Sequence, residues 1–216
     1  GGERREVVQT APSAIGRHEQ DELHNMALAE SIEAGLCVLA GTQAFDALGP
    51  EVYRRFVADL RAVDVSVVAD LAGPILDACL ASGIDVLKIS DEELLADGRI
   101  SSAGEVDILE AIEALHAAGA TDVVVSRREN GLLARYDGML VHAIAPEMAV
   151  ADARGAGDSL TAALAVARAR RLSCPDALRV AAAAAAVNVT RHGLASGSRE
   201  AIEQLAPRVE IRQIAR

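Results

Sequence analysis

Two periods alternate along this chain. Short runs of consecutive aliphatic residues at 36–40, 63–69, 85–89 and 122–126 read as buried strands. Between them, apolar residues return every three or four positions. Residues 19–34 are predicted to form a helix closed by Gly35, with Leu23, Met26, Ala27, Ile32 and Ala34 near helical spacing. Pro50 starts a second helix through Tyr53, Phe56, Val57 and Leu60. A third runs from Gly73-Pro74 to Ser82, and another covers 105–118. Ser90 with Glu93 three residues on forms a capping-box pattern, so a further helix starts there.

Strands separated by helices imply a parallel sheet with crossover helices. Runs at 132–136 and 139–144, divided by Asp137-Gly138, read as a hairpin whose antiparallel strands finish one sheet edge. Two Ala-rich helices end the pattern, at 159–171 and 175–189, the second with Ser173 as cap. Ligands of such sheets sit beyond the carboxyl ends of the strands, where Asp70, Lys88, Ser90 and Ser126 fall.

The stretch Asp152-Ala153-Arg154-Gly155-Ala156-Gly157-Asp158-Ser159 lies at the start of the first Ala-rich helix. Gly155 and Gly157 carry no Cβ to keep a ligand from the peptide N–H groups. A helix start presents free N–H donors and the positive end of the dipole, which favours anions and phosphate in particular. On these residues alone, a tight turn with Asp158 as helix cap is an equally good reading.

Composition narrows the choice. The chain has 216 residues, 51% of them hydrophobic, enough for one sizeable core. Two Phe, two Tyr and no Trp leave little to stack on bases, and a net charge of -11 argues against a nucleic-acid backbone, though not against a locally bound ATP. Cys37, Cys79 and Cys174 are odd in number and scattered, as expected of reduced thiols in a cytoplasmic protein. The five histidines, His18, His24, His116, His142 and His192, do not cluster at ligand spacing. The apolar run 180–187 is too short to cross a bilayer, so no membrane partner is expected. The chain opens without Met, as if inside a strand, and an N-terminal portion is expected to be missing.

Gly155-Ala156-Gly157-Asp158, late in an α/β chain and followed by two Ala-rich helices, resembles the signature of the ribokinase-like (PfkB-type) carbohydrate kinases. Lys88-Ile89-Ser90-Asp91-Glu92-Glu93-Leu94 is similar to the family's Lys-Pro-Asn-x-x-Glu-Leu segment, and Ser126-Arg127-Arg128-Glu129-Asn130-Gly131 stands where the family has Ser/Thr-x-Gly-x-x-Gly. The Lys-containing form is most similar to the 1-phosphofructokinase and tagatose-6-phosphate kinase branch.

The resemblance implies a three-layer α/β sandwich with a mainly parallel central sheet. Residues 1–10 would be the end of a lid strand, and 11–216 a kinase domain lacking its N-terminal part and most of its β lid. It implies phosphoryl transfer from ATP, with Mg2+, to a sugar or sugar phosphate. Asp158 would be the base, and Gly155, Ala156 and Gly157 the anion hole. Lys88 would touch the ATP phosphates and Glu93 would hold magnesium through water. Ser126 and Gly131 would belong to the nucleotide loop, Ser90 could reach a water there, Arg128 would either close the nucleotide groove or add a positive charge to the phosphates, Arg154 could contact a phosphate, and Asn188 and Gly193 are candidates for the adenine pocket. From the residues alone, Glu93 is a capping acid, Lys88 a solvated strand end, Arg154 a surface arginine and Asn188 a helix cap. Pairing of lids would make a homodimer.

Two departures from the family pattern bear on activity: Ser90 replaces Asn, and Arg128 replaces the first Gly of the nucleotide loop. Gly41-Thr42-Gln43 lacks the Pro usual nearby. A non-catalytic nucleotide or sugar-phosphate sensor of the same fold is therefore the alternative. A dinucleotide site is disfavoured, because Gly-x-Gly there would open a first βαβ unit and here two helices follow.

Overall fold

In the computed structural model, which describes residues 15–41 and 48–214, seven strands hydrogen-bond in chain order into one sheet. Residues 1–10, expected to end a lid, and Thr42 and Gln43 lie outside the described residues. Helix α1 (Arg17–Ala34) leads to β1 (Leu36–Ala40), α2 (Pro50–Ala62), β2 (Ser66–Asp70), α3 (Gly73–Leu80), β3 (Ile84–Ser90), α4 (Asp91–Ala96), α5 (Glu105–Ala118) and β4 (Ala120–Ser126). The chain continues through β5 (Leu132–Tyr136), β6 (Met139–Ile144), α6 (Ala156–Ala169), α7 (Cys174–Val189), α8 (Arg199–Leu205) and β7 (Glu210–Gln213).

Strands β1 to β4 are parallel neighbours, and β5, β6 and β7 extend the sheet antiparallel. Sequential parallel strands joined by crossovers of one hand place every crossover helix on one face. Accordingly Val57 and Leu60 of α2, Leu76 of α3 and Ile108 and Ile112 of α5 pack in one cluster with Val67, Leu87 and Val123. The opposite face, with Val68, Val86 and Val124, is covered by Leu160 and Leu164 of α6 and the Ala face of α7, Ala177, Ala181 and Ala184. Small side chains let α6 and α7 lie close to each other and to the sheet. The three layers follow from these two cores.

The first helix differs from expectation. Leu23, Met26 and Ile32 are 48%, 69% and 51% exposed, while the buried residues of α1 are His24 and Ser31. At 100° per residue His24, Ala27, Leu28 and Ser31 form a single stripe, and the scattered apolar set does not. His24 is held there by a 2.8 Å hydrogen bond with Asp59 and by edge contact with Phe56.

Strand β2 begins at Ser66 rather than near Val63, because Val63 ends α2 and Asp64 turns the chain at φ 57°. Burial pushes the Cys79 and Cys174 thiols up to about 12, which suits inert core residues. None of the described helices is long and apolar enough to cross a membrane.

Candidate active site

The period-two geometry of strands sends alternate residues to opposite faces. Val68, Val86 and Val124 lie on the α6 side, so Asp70, Lys88, Ser90 and Ser126 share that side at the carboxyl ends of their strands. Register adds proximity, since Asp70 stands beside Lys88 and Ser90 beside Ser126.

Over this end of the sheet sits the start of α6. The helix begins at Ala156, three residues earlier than its apolar pattern predicts, with Gly155 as N-cap at φ 75°. The first backbone bond of the α-helical ladder runs from Ser159 N–H to the Gly155 carbonyl at 2.9 Å, so the Gly157 and Asp158 N–H groups precede it. Neither has a hydrogen-bond partner among the described residues. Asp158 itself is exposed, and its carboxylate makes no hydrogen bond among the described residues. Two glycines are needed for different reasons. A Cβ on Gly155 would sit at a positive φ and 2.9 Å from Leu194 Cδ2, whereas one on Gly157 would stand 3.0 Å from Lys88 Nζ. The Lys88 ammonium therefore lies directly against the first turn of α6.

Lys88 is not the solvated strand end that its sequence position allows. It is 6% exposed, and its Nζ donates to both Asp70 oxygens, at 3.0 and 3.1 Å. Asp70 Oδ2 also accepts from Thr161 Oγ1 at 2.9 Å. The sequence offers Asp70 only as one of the residues at the strand carboxyl ends, without a role, and does not offer Thr161. The signal was present: Asp70 ends a strand as Lys88 nears the end of the next, and Thr161 stands one helical turn beyond Gly157.

The loop before α6 is anchored by the end of α7. Asn188, 1% exposed, donates through Nδ2 to the Arg154 carbonyl at 2.7 Å and accepts from Ser159 Oγ at 3.2 Å. Ala151 and Asp152 N–H both donate to the Val189 carbonyl. Gly193, at φ 96°, precedes Leu194, whose Cδ2 stands 2.9 Å from the position of a Gly155 Cβ, so Asn188 reaches the glycine loop itself and Gly193 only through its neighbour. Arg154 wraps back onto Asp152, with Nε 3.0 Å from each carboxylate oxygen and Nη2 2.6 Å from Oδ2. That guanidinium and the Arg154 N–H hold the Asp152 carboxyl well below the usual carboxylate range, at about 2.

A second group gathers beside β3. Ser90 Oγ accepts from the Glu93 N–H at 3.2 Å, and Glu93 Oε2 accepts from the Ser90 N–H at 2.8 Å and from Ser90 Oγ at 2.7 Å, completing the capping box. The other Glu93 oxygen accepts no hydrogen bond among the described residues and is free to hold water. Arg128, at φ 49°, pairs with Glu92, so its charge is engaged from the α4 side. Gly131 is a packing glycine, since a Cβ there would lie 2.3 Å from the Ala143 carbonyl oxygen.

Among the described residues no group of three or more His, Cys, Asp or Glu side chains could by itself hold a metal ion. A magnesium ion here would arrive with nucleotide phosphates, with Glu93 reached through water. The charged cleft between α1 and α2, lined by Arg54, Arg55 and Asp59, belongs to the opposite layer, and Arg54 and Arg55 are paired with Glu51 and Asp21.

Residues 7–201 match the pfkB family of carbohydrate kinases. The chain belongs to this family. It is 28% identical over 174 residues to the 1-phosphofructokinase of Vibrio cholerae, an alignment covering 81% of this chain and 55% of that protein. Among solved structures, phosphofructokinase-2 from Escherichia coli in complex with potassium superposes with a TM-score of 0.80 at 22% identity, over 90% of this chain and 63% of that one. Arabidopsis thaliana ribokinase complexed with ribose and ATP gives 0.72 at 25% identity, over 90% and 60%. The chain thus spans little more than half the length of the Vibrio relative. The three-layer α/β architecture of this pfkB-family chain is the ribokinase-like fold of these neighbours.

Proposed function

We propose that the protein transfers the terminal phosphoryl group of MgATP to a hydroxyl of a sugar or sugar phosphate. The observation that carries this reading is a single juxtaposition. Two unpaired N–H groups at the α6 start, the uncommitted Asp158 carboxylate and the buried Lys88 ammonium all converge at one end of the sheet.

In this reading Asp158 accepts the acceptor hydroxyl proton as that oxygen bonds to phosphorus. The bond from phosphorus to the bridging oxygen breaks, and ADP leaves with the electron pair. Charge developing on the transferred group falls against the Gly157 and Asp158 N–H donors and Lys88, which are fixed before the reaction starts. Ser90, Ser126, Arg128, Gly131, Arg154, Asn188 and Gly193 serve the nucleotide side directly or by shaping the loops around it. Glu93 offers its free oxygen to the magnesium-bound water. Lid pairing would make the protein a homodimer, a state that light scattering of the natural full-length protein tests.

The experiment is ADP release with a panel of free and phosphorylated ketohexoses, comparing the natural full-length protein with Asp158→Asn. Turnover with at least one acceptor that Asp158→Asn abolishes supports the reading. No ADP with any acceptor, or an Asn variant as active as wild type, overturns it. The involvement of Ser90 in its own capping box and of Arg128 with Glu92 favours one alternative, a sensor that binds nucleotide without turning it over. Calorimetric MgATP binding in the absence of any turnover would establish that alternative.

A further inference from the structure

We propose that Asp70 is a positioning residue for phosphoryl transfer. Together with Thr161 it fixes the Lys88 ammonium under the first turn of α6, where the ammonium can meet an oxygen of the transferred group. This inference rests on the kinase reading above and adds a residue to it that the motifs did not contain.

A lysine at this place is costly twice over. It is 6% exposed, so its charge has lost most of its water, and it lies at the positive end of a 14-residue helix. Asp70 offsets both costs. The two residues are register partners on adjacent parallel strands and point to the same face, so their approach is dictated by the backbone of the sheet. Both carboxylate oxygens accept from Nζ, and Oδ2 is fixed from the helix side by Thr161 Oγ1. Thr161 Oγ1 also lies 3.0 Å from the Gly157 carbonyl, a second acceptor for its one proton, which keeps the hydroxyl beside the glycine loop.

The donor count bears on how Lys88 can meet the transferred group. An ammonium has three N–H bonds, and the two Asp70 oxygens, side by side on one carboxylate, take at most two of them and leave at least a third. Among the described residues Nζ has no other hydrogen-bond partner, while its distance from the position a Gly157 Cβ would occupy is 3.0 Å. The third donor is thus left beside the unpaired N–H groups of the loop. Asp70 serves by aiming that donor, and it makes no contact with substrate itself.

The test is a double-mutant cycle in the natural full-length protein, reading kcat and KM for MgATP and for the acceptor separately. Asp70→Asn keeps the size and one acceptor oxygen and removes the charge. It is expected to lower kcat/KM for MgATP by about tenfold to a hundredfold, with the acceptor KM changed less than about twofold. In a Lys88→Met background the same change is expected to cost less than about twofold, because nothing remains to be aimed. Thr161→Val is expected to cost about threefold to tenfold in wild type and nothing further with Lys88→Met.

An Asp70→Asn loss of equal size in both backgrounds, or a folded Asp70→Asn protein within twofold of wild type, overturns the inference. If Asp70→Asn does not fold, the Thr161→Val cycle decides by the same criteria. Where a variant turns over too slowly, MgATP affinity by calorimetry reads the same cycle. A wild-type protein that turns over no acceptor counts against the kinase reading. An uncoupled cycle in an active enzyme counts against Asp70 alone.

Discussion

Asn188 donates a 2.7 Å hydrogen bond to the carbonyl of Arg154, joining the end of α7 to the residue just before the glycine loop. The sequence offers this asparagine as a purine contact or a helix cap, but its amide is used to hold the loop. Asn188→Ala leaves the Arg154 carbonyl without its side-chain partner. It is expected to lower unfolding free energy by about 1–3 kcal/mol, measured by urea denaturation. Nucleotide KM should rise in step, because the loop loses its anchor.

Asp158 presents the opposite case. It is exposed and without a hydrogen bond among the described residues, so Asp158→Asn should leave the melting temperature within a degree or two, in line with the small effect of about 0.5 kcal/mol usual at such surface positions. Its kcat should fall by about 100-fold to 10,000-fold if it is the general base. Activity and stability are thereby expected to separate completely at this residue.

Gly157→Ala tests the close approach of Lys88. Its φ is not positive, so alanine brings no backbone strain at this position. The new methyl would meet Nζ at 3.0 Å and push the flexible end of the lysine aside. A fall in kcat of about tenfold or more is expected from that displacement. Gly155→Ala, by contrast, should destabilise, since φ is 75° and Leu194 blocks the Cβ.

The Asp152 and Arg154 pair predicts an acid-side pH dependence. The folded carboxyl titrates at about 2 against an ordinary 3.8, so this group binds fewer protons folded than unfolded between those values. Its stabilising contribution is fully present above about pH 4 and is lost as pH falls through the folded value. The urea midpoint of the wild-type protein should drop between pH 4 and pH 2. In Arg154→Ala, where the cause of the low value is gone, the drop over that window should be shallower.

The extent to which the chain could be read before folding varies by element. The Ser90 and Glu93 capping box, the Asp137-Gly138 hairpin and the four parallel strands were legible, since each depends on residues close in sequence. Helix α8 and strand β7 were not. Seven residues and four residues are too few to show a period, and β7 is held to β6 by backbone pairing. The face of α1 was misread because His24, a polar residue, is buried through a partner on α2, Asp59.

At the site itself, the sequence alone determined the local chemistry: a glycine-bearing helix start with an acid beside it, and a lysine near the end of a strand. Both follow from residue type and short-range spacing. Only the tertiary structure decided where the lysine stands. Strand register sets Asp70 against Lys88, and the packing of α6 over the sheet brings Thr161 onto Asp70 and Gly157 against the Lys88 ammonium. Those contacts join residues 18 and 91 positions apart in the chain, a distance at which no local pattern carries information.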